Sequence, residues 1–151
     1  MVKFNLDDEY KYFTPFTAYM EYILLNYNNF LKNHLKNSDI SNREFLYLFN
    51  IFCNKEISQK DLADLMYVSE ANVTKIVKKL EKKGYLVRHK DENNKSRNLL
   101  SLSDKGELIV NKLVKLSNEW EINLTKSYDM KKRNEIKDLL YELSENSVDI
   151  N

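Results

Sequence analysis

Between Lys75 and Arg97, nine basic residues (Lys75, Lys78, Lys79, Lys82, Lys83, Arg88, Lys90, Lys95, Arg97) stand against Glu81, Asp91 and Glu92, a local balance of +6. The whole chain carries +1, which leaves −5 for everything else. A field concentrated in one segment steers a polyanion there, while acid elsewhere discourages indiscriminate contact. Charge alone suits a solvated helix face equally well, so spacing must decide. The chemistry on offer is binding. No nucleophile beside a base, no paired general acid and base and no phosphate-cradling loop is found, so an enzyme is not expected. His34 and His89 lie on different elements without metal-ligand spacing, and neither metal nor cofactor is expected. Cys53 is the single cysteine, which excludes an internal disulfide and a cysteine-rich zinc module. Its neighbours Ile51 and Phe52 predict a buried thiol.

The elements that must position this charge are mostly helical. The 151 residues suit one cooperative domain, and two glycines and one proline leave little punctuation for a many-turned β fold. The spacing of Phe16, Met20, Ile23, Tyr27, Phe30 and Leu31 predicts a long first helix from Tyr10 to Lys36. Ser41 with Glu44 forms a capping box for a second helix ending near Asn54, with Phe45, Leu48, Phe49 and Phe52 as its apolar face. Ser58 with Asp61 opens a short third helix burying Leu62, Ala63 and Leu65. After a turn through Tyr67 and Val68, Ser69 caps a fourth helix with Val73, Ile76, Val77 and Leu80 inward, and Gly84 stands where a left-handed residue is wanted. The period then becomes extended at residues 85–89 and 99–102, a two-stranded hairpin with a long polar tip. Ser103 caps a fifth helix carrying Ile109, Leu113, Leu116, Trp120 and Leu124, and Asp129 starts a sixth with Ile136, Leu139, Leu140 and Leu143 on one side. The acidic start, Met1 to Glu9, lacks the basic and apolar regions of an export signal, and no apolar run approaches the roughly 20 residues of a membrane span. A cytoplasmic location is expected.

Helix, turn, helix and hairpin, with the basic charge on the second of the tandem helices and on the hairpin, is the order of a winged helix-turn-helix. On the helix from Glu70 to Lys83, Ala71, Lys75, Lys78 and Lys82 point away from the apolar stripe. Short side chains at Ala71, Asn72 and Thr74 let that face approach base edges, and Asn and Lys hydrogen-bond to purines. Lys78, Lys79 and Lys82 are placed for phosphates.

The run from Gln59 to Arg88, QKDLADLMYVSEANVTKIVKKLEKKGYLVR, resembles the DNA-binding core of the MarR family, and Leu102-Ser-Asp-Lys-Gly106 resembles the opening of its fifth helix. The likeness covers nearly the whole chain. It implies one MarR-like domain over 1–151, with a winged-helix lobe at 41–102 and dimerisation helices at 10–36 and 104–147. It also implies a homodimer, an interface that includes Ile109, Leu113, Leu116, Ile136, Leu139, Leu140 and Leu143, and a pseudo-palindromic double-stranded operator read by helices about 34 to 36 Å apart. Ala71, Asn72, Thr74 and Lys75 fall on base-reading positions, just after the cap Ser69, and Arg88 on the arginine closing the first wing strand. The wing departs from the pattern. The family's Asp-x-Arg falls on Asn94-Lys95-Ser96, with Arg97 one position late. Either Arg97 reaches a minor groove or Lys95 substitutes, and Arg97 is favoured. The missing aspartate removes a partner that would orient that arginine. The family's habit of binding small aromatic acids makes Tyr12, Phe16, Tyr19, Tyr47 and Trp120 candidate pocket residues, although aromatics at this spacing equally form core. Repression relieved by such a ligand is the expected mode. The rival reading is a protein-interaction module whose basic face meets an acidic protein.

Overall fold

The computed structural model describes residues 8–35, 39–92, 94–95, 97–148 and 150. The acidic N-terminal run to Asp7, Lys36 at the expected end of the first helix, and Ser96 in the wing tip lie outside them. Two compact units are present, one up to Val114 and one from Lys115.

The first unit contains α1 (Asp8–Lys11), α2 (Phe16–His34), α3 (Asn42–Asn54), β1 (Ile57–Ser58), α4 (Gln59–Leu65), α5 (Glu70–Lys82), β2 (Leu86–Lys90), β3 (Asn98–Leu102) and the start of α6 (Asp104–Leu124). Three serine caps form as their spacing predicts. Ser41 and Glu44 make a reciprocal capping box on α3, and Ser58 and Ser69 accept from the backbone N–H groups of Asp61 and Asn72. Each such cap stabilises its helix by about 1 kcal/mol. Gly84 ends α5 at φ +75°, a conformation that costs other residues. Leu48 and Ile51 from α3, Leu62 from α4, Val73, Val77 and Leu80 from α5, Leu100 from β3 and Val110 and Leu113 from α6 are fully enclosed. Burying each contributes roughly 1.5 to 3 kcal/mol.

Four expectations are corrected. The first helix is broken, because Pro15 cannot continue a helix from its N-terminal side and instead precedes α2 in an extended conformation. The hairpin gains a third strand: the antiparallel order is β1-β3-β2, with Ile57 opposite Leu100, and Leu100 opposite Arg88. On α3 the buried face is Glu44, Tyr47, Leu48 and Ile51, leaving Phe49, Phe52 and Cys53 exposed. That face includes Glu44, whose carboxylate pairs with Lys79 of α5 and with Lys83 just beyond its end. Leu65 is also exposed, one turn after the buried pair Leu62 and Ala63.

The second unit comprises the end of α6 and α7 (Met130–Val148). Asp129 Oδ1 accepts from the Lys132 N–H at 2.8 Å, confirming the expected start of α7. Arg133 Nε donates to the Thr125 carbonyl, and Lys137 pairs with Glu121 at 2.8 Å, so the turn is tied on both sides. Leu139, Leu140 and Tyr141 of α7 are exposed. Among the described residues no helix is long and apolar enough to cross a membrane.

Candidate nucleic-acid interface

α4 and α5 pack together, and α5 rests on α3 and β2. Its inner side, Val73, Val77 and Leu80, is fully enclosed, so the register of the outer side is fixed. Ala71, Asn72, Lys75, Lys78 and Lys82 are all exposed there, and Glu70 is the acid of the first turn. Among the described residues Lys75, Lys78 and Lys82 have no ion-pair partner. Three unneutralised ammonium groups therefore share one face of one helix.

The other expected contacts are engaged within the protein. The Thr74 hydroxyl donates to Gln59 Oε1 at 3.0 Å, bridging α5 to α4 instead of facing outward. Lys79 pairs with Glu44 at 3.1 Å while remaining exposed itself. Arg88 forms a two-pronged pair with Glu81, Nε to Oε1 at 3.0 Å and Nη2 to Oε2 at 2.9 Å, which clamps β2 to α5. Arg97 pairs with Asp61 of α4, and its Nη1 lies 3.9 Å from Asp91. Lys95 is exposed on the wing. Spacing alone did not reveal these carboxylates: Asp61 is 36 residues from Arg97, and Glu81 sits inside a run dominated by lysine.

Beneath this face lies a buried ionic knot. Glu44 is enclosed, and its carboxylate accepts from Lys83 Nζ at 2.8 Å and from the Ser41 N–H and hydroxyl at 2.8 Å each. Burial by itself would raise its pKa, but Lys83, Ser41 and Lys79 outweigh burial and hold it at about 2. The buried Tyr85 hydroxyl donates to Asp39 Oδ1 at 2.6 Å, and burial together with that bond pushes its pKa up to about 12. Lys83 Nζ also donates to the Asp39 carbonyl, and Lys105 Nζ lies 4.1 Å from the centre of the Tyr85 ring. The start of α3, the end of α5 and the start of α6 are thus joined by one network, which fixes the attitude of α5.

Four of the five aromatic pocket candidates belong to the first unit, where they differ widely in exposure. Tyr12 and Phe16 are 85% and 77% exposed, and the Tyr19 hydroxyl donates to the Lys11 carbonyl at 3.0 Å. Tyr47 is enclosed in the first unit, its hydroxyl without a partner among the described residues, whereas Trp120 belongs to the second unit. An open groove of about 830 Å³ occurs elsewhere, at the end of α3, where Phe52, Cys53, Lys55 and Glu56 face Ser101 and Glu107. Of the expected interface residues, Leu113 is sealed in the first unit's core and offers no surface to a partner. Ile109, Leu116, Ile136 and Leu143 are half-buried, and Leu139 and Leu140 are exposed.

Residues 40–96 match the profile of the MarR family. The HTH-type transcriptional regulator SarZ of Staphylococcus aureus is 29% identical over 102 residues, 65% of this chain and 69% of SarZ. A crystal structure of MarR superposes with a TM-score of 0.80, at 22% identity over 97% of each chain. A mutant MarR from E. coli complexed with operator DNA superposes at 0.71, with 22% identity over 91% of this chain and 99% of that one. The fold is therefore that of these winged-helix regulators.

Proposed function

We propose that the chain, whose residues 40–96 match the MarR family, is a transcription regulator of that family: a sequence-specific double-stranded DNA-binding repressor acting as a homodimer. The observation that carries the proposal is the face of Lys75, Lys78 and Lys82, unneutralised on a helix whose opposite side is locked into the core. In this reading 41–102 is the DNA-binding lobe, while 10–36 and 104–147 supply the dimer. The exposed Met20, Ile23, Leu24 and Leu25 on α2, and Leu139, Leu140 and Tyr141 on α7, support a partner for those helices. Two recognition helices would then meet half-sites of a pseudo-palindromic operator one DNA turn apart. A small aromatic effector would release the DNA by favouring a dimer whose spacing does not fit it, and only through its differential affinity for the two states. Such a regulator works in the cytoplasm.

Fluorescence anisotropy across a salt series, with duplex from upstream of the protein's own gene against a scrambled duplex, tests the proposal. Tighter, saturable binding to the first with a steep salt dependence is expected. No preference there and none in selection from random DNA would instead favour a winged-helix protein-interaction module. Lys75, on the outward face of the second turn of α5, should carry sequence information. Lys75→Ala is expected to lower operator affinity about tenfold and random-duplex affinity far less; equal losses on both would remove its base-reading role. Lys82, at the far end, should meet phosphate. Lys82→Ala should weaken both duplexes alike and flatten the salt slope by about one unit, and an unchanged slope would remove it from the contact set.

A further inference from the structure

The chain lacks an aspartate at the wing position where the resemblance expects one to orient the reading arginine, yet Arg97 is not left unheld. We infer that Asp61, on α4, is the positioning residue for Arg97, supplying from the helix-turn-helix the close carboxylate that the expected wing position lacks, with Asp91 of the wing standing further off. This rests on the proposed DNA-binding function.

Four observations carry it. Arg97 Nη2 pairs with Asp61 Oδ2, and Nη1 stands 3.9 Å from Asp91 Oδ2, so the two ends of the guanidinium are held from different elements. Asp61 is itself held: its backbone N–H donates to the Ser58 hydroxyl at 3.1 Å, and its place in the first turn of α4 is set by that cap. Its pKa is lowered, first by the hydrogen bond with Ser58 and then by Arg97, so it is a carboxylate at any pH at which the protein would meet DNA. The Arg97 backbone is equally fixed, its N–H donating to the Asn94 carbonyl and its carbonyl accepting from the Asp91 N–H, so the loop closes at the base of the side chain. A planar guanidinium has five donors, and two carboxylates leave several directed outward in a defined plane. Both Arg97 and Asp61 remain more than two-fifths exposed. An exposed pair of this kind adds little to folding stability, so its use is orientation.

The test compares wild type, Asp61→Asn, Arg97→Ala and the double variant on the duplex that wild type selects from a random pool and on a scrambled duplex. Asparagine keeps the shape and the cap geometry, so the melting temperature should move by no more than a few degrees. Removing an acid near the interface raises binding to any polyanion, so the readout is the ratio of selected to scrambled affinity. That ratio should fall three- to tenfold in Asp61→Asn, and Asp61→Asn should add nothing once Arg97 is alanine. A ratio that is unchanged, or that changes equally in both backgrounds, overturns the inference while leaving the regulator intact. Failure of wild type itself to prefer any duplex overturns the DNA-binding function and this inference with it.

Discussion

Glu44→Ala should lower stability by about 3 to 5 kcal/mol, the usual result of removing one partner from a buried ionic group, and with it the melting temperature by roughly 10 °C. Glu44 is 1% exposed, and Lys83, its nearest partner, has a side chain only 17% exposed. The variant strands that ammonium and also dismantles the capping box on α3. Glu44→Gln keeps the volume and isolates the charge. The sign with pH follows from the depressed pKa. With an ordinary value of 4.5 and a folded value of about 2, the carboxylate's contribution is fully present above pH 4.5 and is lost as pH falls towards 2. That contribution amounts to roughly 3 kcal/mol. Urea midpoints of wild type and Glu44→Gln should therefore stand well apart at pH 7 and converge near pH 2 to 3. A gap that stays constant with pH would mean that the charge is not what matters. Stability and DNA binding should also move in opposite directions in folded Glu44→Gln: Lys79 is released to the basic face, and the salt slope should steepen by about one unit.

Gly106→Ala is the second large loss expected. A Cβ on Gly106 would collide with the Tyr85 carbonyl oxygen and lie 3.3 Å from Leu102 Cβ. That carbonyl has no room to yield, because it accepts from the Ser103 N–H at 3.1 Å while the Ser103 hydroxyl caps Gly106 and donates to the Gly84 carbonyl. Backbone must move, which puts the cost at about 3 kcal/mol, the upper end for overpacking. Gly84→Ala is the internal control. Its added carbon meets nothing within 4 Å, and only the left-handed φ of +75° is penalised, at about 1 kcal/mol. Denaturant titrations that rank Gly84→Ala as the worse variant would refute this assignment of the two glycines.

Local signals were the legible ones. Ser41, Ser58, Ser69 and Ser103 all cap as read, because a cap is settled within three residues by a side chain and a nearby N–H. The order of elements and the outward register of Lys75, Lys78 and Lys82 followed from helical period for the same reason. What escaped depends on distant partners. A glutamate reads as solvent-facing until Lys79 of α5 and Lys83 beyond its end neutralise it, so the buried face of α3 carries Glu44 while Phe49 and Phe52 stay exposed. β1 is two residues long and exists only through β3, too short to show any alternation. Pro15 was the legible exception, a helix stop outweighed by the apolar period on either side. Arg97 reads as reaching outward because a sequence shows its charge and not the acids folded against it.

The shortest strand has a consequence out of proportion to its length. β1 ends at Ser58, and Ser58 is also the residue that caps α4. One serine is thus the last rung of a ladder and the first contact of a helix, its backbone aligned opposite Leu99 while its hydroxyl holds the Asp61 N–H. Fraying of the hairpin from the sheet would pull on the cap of the helix-turn-helix, and the two are expected to open together, as matched amide-exchange protection in β3 and α4 would show. A tremor in the wing is felt at α4, and a load applied to α4 is borne by the sheet.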